Sequence, residues 1–324
     1  MRMKAIGLSL TFALVFSLPV DAGDYRAGYT FATTEVAAPF DVLVAYPTET
    51  REENVIEGIF ALSASRDSPI VSDARFPIVL FAHGNGRRAG TPLPHHGLIL
   101  NLARRGFIVV APFFPGGKRP FDNRPRQVQE ALEAALSDAR IAPHADRDRM
   151  GMIGFSFGGA VTLLNAGAKV NLAHLADYCG LSKEDDPMAC GGIPTDGSLA
   201  AVPSRASKSR LPLKALVLLE PFGAPFDQAD LALLDMPIMI VNALQSDLKA
   251  SGNAHALAAA LPKTPSTLSI PGSHFVFVDP CPSELKASNP LVCEDPPDVD
   301  RTAVSKRVRR DVGEFLHASL GRLR

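Results

Sequence analysis

The chain has 324 residues, 46% hydrophobic and 21% charged, with 25 Gly and 27 Pro, a composition that suits a large core and excludes a disordered or fibrous polymer. Thirty-three Lys plus Arg against 34 Asp plus Glu leave a formal net charge of -1, without the concentrated basic footprint of a general nucleic-acid binder. The late basic run of Lys306, Arg307, Arg309 and Arg310 reads as a solvated helix face.

In chain order, Met1-Arg2-Met3-Lys4 precedes an apolar stretch over 5–20 and the small-x-small junction Val20-Asp21-Ala22. This is the pattern of a secretory signal peptide, 1–22, cleaved after Ala22. The stretch contains Ser9, Thr11, Ser17 and Pro19 and is short for a bilayer span, so no stable membrane insertion is expected after cleavage. The expected location is the periplasm or the cell exterior.

Residues 28–36 and 40–47 suit an opening antiparallel hairpin. Apolar runs of strand length then recur at 77–82, 107–111, 150–154, 215–219, 237–241 and 267–270, and helical periodicity covers 124–141, 158–168, 250–261 and 301–320. Strands apolar throughout, alternating with helices, predict an α/β fold with a mostly parallel central sheet buried on both faces. The stretch 170–212 breaks this rhythm with Lys183-Glu184-Asp185-Asp186-Pro187, and is expected to pass over the sheet as a lid or rim. Residues 23–324 therefore read as one domain with an insertion.

In an oxidising compartment an even count of cysteines favours disulfides, and four Cys allow three connectivities. Local pairing is expected: Cys179 with Cys190 and Cys281 with Cys293. A metal site is not expected, because neither pair has CxxC spacing and no His lies inside either loop.

The strongest chemical signal is Gly154-Phe155-Ser156-Phe157-Gly158-Gly159, placed between an apolar strand and a helix. A nucleophilic serine at such a turn needs a strained backbone packed closely on both sides, hence Gly two residues either way. Its hydroxyl requires a base. Of the eight His, His274 in Pro271-Gly272-Ser273-His274-Phe275 follows the last expected strand and is the candidate. His144, His174, His255 and His317 are expected at solvent-facing positions, and His95 and His96 at the start of a helix that could line the site. Asp247 is the candidate acid to orient the imidazole, giving the chain order Ser, Asp, His, with Glu220 at the preceding strand end as the alternative. Oxyanion donors are expected from the N–H of Phe157 and, in the loop His83-Gly84-Asn85-Gly86, from Asn85. The glycines at 84, 86 and 90 fall at GxGxxxG with no acidic residue ending a second strand, which argues against a dinucleotide site.

These residues together resemble the α/β-hydrolase superfamily, and more narrowly the bacterial dienelactone-hydrolase-like proteins related to plasma platelet-activating-factor acetylhydrolase. The likeness includes Tyr46-Pro47-Thr48, Ala64-Ser65-Arg66-Asp67, His83-Gly84-Asn85-Gly86, Arg124-Pro125-Arg126-Gln127-Val128, the Ser156 turn, Tyr178-Cys179 and His274-Phe275 with Asp279-Pro280-Cys281. The resemblance implies an α/β-hydrolase fold and a serine hydrolase acting on carboxylic esters, short-chain or lipid-like, with Ser156, Asp247 and His274 as triad. Asp247 lies one residue later than the usual family acid, and Glu220 stands where relatives often carry Asp. Dienelactone hydrolases proper use Cys where this chain has Ser156, so that substrate is not carried over. No cofactor is expected, and the partner is a small-molecule ester; oligomeric state is not fixed by the sequence. A cutinase-like polyester or lipid hydrolase and a non-catalytic hydrolase-fold binding protein are the competing expectations.

Overall fold

The computed structural model describes residues 25–72, 74–84, 90–194, 196–199 and 202–321. The expected leader over 1–22 lies outside them. Twelve strands are present among the described residues: β1 (Arg26–Thr33), β2 (Asp41–Thr48), β3 (Glu53–Glu57), β4 (Phe60–Arg66), β5 (Phe76–Ala82), β6 (Ile108–Pro112), β7 (Ala145–Phe155), the short β8 (Lys169–Val170) and β9 (Arg205–Ala206), β10 (Ala215–Leu219), β11 (Ile238–Ala243) and β12 (Ser266–Ile270). Ten form one sheet in the order β12-β11-β10-β7-β5-β6-β2-β1-β4-β3. The run from β12 to β6 is parallel throughout, whereas β2 is antiparallel to β6 and β1 to β2. The chain is an α/β fold compatible with the one that the resemblance implies.

The all-apolar strands have helices on both sides. Helix α1 (His96–Arg104) and the helix Arg301–Leu320 cover one face, packing on Leu43, Val79, Val109 and Ile153. Helices α2 (Pro120–Ser137) and α3 (Phe157–Ala166) cover the other, over Val44, Leu80, Val110 and Met152. β5 has β6 on one side and β7 on the other, so successive crossovers leave it in opposite directions. Ligands in open α/β sheets sit in the crevice beyond the strand ends at such a reversal. Ser156 follows the end of β7 and Gly84 follows the end of β5, both at that crevice.

Several expectations shift. The opening hairpin forms, but a second one, β3 with β4, was not foreseen; its turn uses Gly58 at φ +61°. Helix α2 starts four residues before the expected 124, because Pro120 fits the first helical turn, where no amide donor is needed. The periodic stretch 250–261 splits into a 3-10 turn and the helix Ala254–Ala260, since Asn253 spends its side chain on the amides of Gly223 and Ala224. His317, expected in solvent, is buried against Phe107 with ring centroids 4.6 Å apart.

The 170–212 stretch is less irregular than its composition suggests. It holds α4 (Leu172–Ser182) and a further turn of helix at Pro187–Cys190, and Leu175, Cys179, Asp186, Ala189 and Cys190 are buried. Asp186 is the reason that polar sequence can pack: its carboxylate accepts from Tyr178 Oη and Asn253 Nδ2, both at 2.8 Å, and from the Ala189 amide at 3.1 Å. Both expected cysteine pairs are disulfides, Cys179–Cys190 with Cα atoms 5.3 Å apart and Cys281–Cys293 with 5.7 Å. Among the described residues no helix is long and apolar enough to cross a membrane.

Candidate active site

β7 delivers Ser156 at φ 55° and ψ -121°, a left-handed backbone that few residues other than Gly adopt. The surroundings enforce it. A Cβ on Gly158 would lie 1.9 Å from the Ala82 carbonyl, and one on Gly154 would lie 2.1 Å from the Gly158 carbonyl, so the turn closes only with glycine at both places. The Ser156 amide donates to the Leu219 carbonyl (2.9 Å), and its own carbonyl accepts from Gly159 (2.9 Å) and Phe222 (3.0 Å). The elbow is therefore pinned to β10 and to the loop after it.

His274 opens a 3-10 turn, His274–Phe277, just past β12. Its Nε2 lies 3.0 Å from Ser156 Oγ across 118 residues of sequence. The ring packs on Phe155 and Phe275, with centroids 5.1 and 4.9 Å away, and is only 3% exposed. Burial pushes its pKa down to about 4, so at neutral pH the imidazole is uncharged and able to accept a proton. With Nε2 accepting from the serine, the proton sits on Nδ1, and that buried nitrogen has no hydrogen-bond partner among the described residues. An unmet buried donor costs about 1–3 kcal/mol, which an acceptor would recover.

Two carboxylates were expected for that place. Asp247 is exposed, on a loop stitched to the histidine loop by Gln245 N to Gly272 O (3.0 Å) and Gly272 N to Gln245 Oε1 (2.6 Å). Glu220 is 1% exposed at the end of β10, at φ 45°, and accepts from the Ala243 amide at 2.5 Å. Burial pushes its pKa up to about 7.

The Phe157 amide heads α3, where first-turn N–H groups have no partner within the helix. Asn85, the other expected oxyanion donor, lies outside the described residues. Gly84 is described, and a Cβ on it would stand 3.1 Å from Ser156 Cβ, so its backbone passes directly beside the serine. His83 is buried against Phe114, its Nδ1–H donating to the Gly84 carbonyl at 2.9 Å, and desolvation holds it neutral with a pKa pushed down to about 3. His95 lies between Phe81 and Phe155, and its Nδ1–H donates to the Phe277 carbonyl at 3.0 Å.

A cavity of about 600 Å³ opens at Ser156. One side is aromatic: Phe222 stacks on Phe121 and Phe157, with centroids 6.4 and 6.1 Å apart. The insertion also lines the cavity, through Leu172, Leu175, Met188 and Ile193. Lys118, Arg119, Asp122 and Arg205 also line it, and the Arg205 guanidinium holds Asp122 at 3.1 Å. Sequence reading missed these four, because nothing in a one-dimensional pattern brings the start of α2 beside β9. Among the described residues no group of three or more His, Cys, Asp or Glu could hold a metal ion.

No model of a known protein family matches the chain, and no curated protein is significantly similar to it.

Proposed function

We propose that the chain is an exported serine hydrolase of carboxylic esters, working through an acyl-enzyme on an α/β-hydrolase scaffold. The observation that carries this reading is the 3.0 Å approach of His274 Nε2 to a serine oxygen held at a strained strand-to-helix turn. A hydroxyl is a weak nucleophile until a neighbouring base takes its proton, and a buried neutral imidazole is such a base. In the proposed reaction Ser156 attacks the ester carbonyl while His274 accepts its proton. The oxygen of the tetrahedral intermediate is held by the amides of Phe157 and Asn85. The imidazolium then protonates the departing alcohol, and water, activated by the same histidine, releases the acid.

The orienting acid is drawn from Asp247 or Glu220, and each has one observation in its favour. Asp247 is solvated and its loop is bonded to the loop of His274. Glu220 is already inside, as Nδ1 of His274 is. The insertion takes the part of a lid over the substrate. A cavity walled on two sides suits a discrete small ester better than the polymer groove of a cutinase-like enzyme. Two disulfides support an oxidising, extracytoplasmic compartment.

The test is covalent. A fluorophosphonate probe should label wild-type protein on the peptide bearing Ser156, and Ser156→Ala should abolish labelling and lower ester turnover by on the order of 10⁴-fold or more. Undiminished labelling of Ser156→Ala would overturn the assignment.

A further inference from the structure

The charge on the cavity lining is lopsided. Among the described residues its ionisable side chains are Lys118, Arg119, Arg205 and Asp122, and the one carboxylate in that set is taken up by Arg205 through contacts of 3.1, 3.2 and 3.3 Å. Lys118 and Arg119 are exposed and make no ion pair among the described residues. Two uncompensated positive charges thus stand over an apolar interior, in a molecule whose overall charge is -1. Arg119 is also the N-cap of the 18-residue α2, contributes no side-chain cap bond, and is followed by Pro120, which has no amide hydrogen. The positive end of that helix dipole therefore adds to the same potential. Low-dielectric walls focus such a field on whatever enters.

We propose that the ester accepted at Ser156 carries a negative charge, a carboxylate or a phosphate, with its apolar body between the Phe222 stack and the insertion and its anion held by Lys118 and Arg119. The proposal rests on the hydrolase reading and names its substrate class. A neutral ester gains only the apolar contact. An anionic one gains two cations whose attraction over a few ångströms, at the effective dielectric near a protein surface, is large against thermal energy.

The experiment compares matched substrates in the same protein sample, so that partial loss of folded enzyme cancels. One arm uses 4-nitrophenyl esters of ω-carboxyalkanoic acids of several lengths against their methyl-capped neutral forms. The other uses short monoacylglycerol phosphates against the corresponding monoacylglycerols. Each kcat/KM is normalised to hydroxide-catalysed hydrolysis. At low ionic strength at least one charged series should be favoured by about tenfold, with the margin shrinking as salt is added. Which arm shows it identifies the anion. Lys118→Gln/Arg119→Gln should bring the ratio to near one, and Lys306→Gln, exposed on the helix Arg301–Leu320 and not part of the cavity lining, should leave it as in wild type. A wild-type ratio near one in both arms, or an undiminished ratio in the double variant, overturns the proposal while neutral esters are still cleaved. If no ester is cleaved and Ser156 takes no probe, the hydrolase reading itself falls and takes this one with it.

Discussion

Among the described residues nothing accepts a hydrogen bond from the His274 Nδ1–H, and this is where the two candidate acids part. The ionisation of Glu220 makes a difference that kinetics can read. Glu220, pushed up to about 7 by burial, is a carboxylate only above neutrality, so an enzyme relying on it loses kcat/KM as pH falls through about 7. If Asp247 is the partner, turnover persists until His274 itself protonates near pH 4. Asp247→Asn and Glu220→Gln separate the cases directly: loss of the true partner should cut kcat by on the order of 10⁴-fold, as removal of a triad carboxylate does elsewhere. The other change should cost tenfold or less. Equal, mild effects would mean that neither carboxylate orients the imidazole. Ser156 and His274 were legible in the sequence because the glycine spacing of the elbow and the end of the last strand are local signals. The acid was not, since carboxylates follow two neighbouring strands, Glu220 directly after β10 and Asp247 on the loop after β11, and their burial has no trace in the sequence pattern.

Among the elements, the turn bearing His274 is held from outside by His95, through the Phe277 carbonyl, and by Asp279 just after it. Asp279 is 5% exposed; its amide donates to the Pro94 carbonyl (2.7 Å), its Oδ2 accepts from the Gly97 amide (2.6 Å), and its Oδ1 accepts from Arg309 (2.5 Å). A single carboxylate thereby joins the histidine turn, α1 and the helix Arg301–Leu320. Asp279→Ala should leave a buried amide and a guanidinium without acceptors, lowering stability to denaturant by about 2–4 kcal/mol. Hydrogen exchange at the Val276 and Val278 amides should rise together with it. A variant as stable as wild type with unchanged exchange would show that the joint carries no strain. The basic run that read as a solvated face is thus partly inward: Arg309 points to Asp279, whereas Lys306 stays exposed. Three-dimensional pairing across 30 residues has no trace in helical periodicity. The strands were the most legible elements, because β5, β6 and β10 are apolar and buried from end to end between two helical layers. The β3–β4 hairpin escaped notice because its outer strand is exposed or half-exposed and lacks such a run.

At the scale of the whole molecule, the buried histidines govern acid behaviour. Desolvation pushes the pKa of His83 down to about 3, and those of His95 and His274 to about 4, from 6.5. Each is neutral in the fold and protonates on unfolding below pH 6.5, so the stability they contribute is complete above that pH and is lost as pH falls toward 4. Glu220 acts in the opposite sense: raised to about 7, it favours the fold below about 4.5 and loses that contribution as pH rises through 7. Near pH 5.5 three histidines outweigh one glutamate, a net uptake of about two protons on unfolding, or about 2–3 kcal/mol of stability per pH unit. Urea midpoints should therefore climb steadily from pH 5 to 6.5; a flat profile would mean that these rings are hydrated in the fold.

The wall formed by α4 and the Pro187–Cys190 turn enters between α3 and β10, outside the hydrogen bonding of the six parallel strands, and is closed on itself by Cys179–Cys190. Shape and polarity of the chamber can thus drift independently of the frame that sets Ser156 against His274. On the proposed function, exchanging side chains of this wall at Leu172, Met188 or Ile193 would offer lineages and engineers alike a way to retarget the molecule while the approach of His274 to Ser156 is inherited intact.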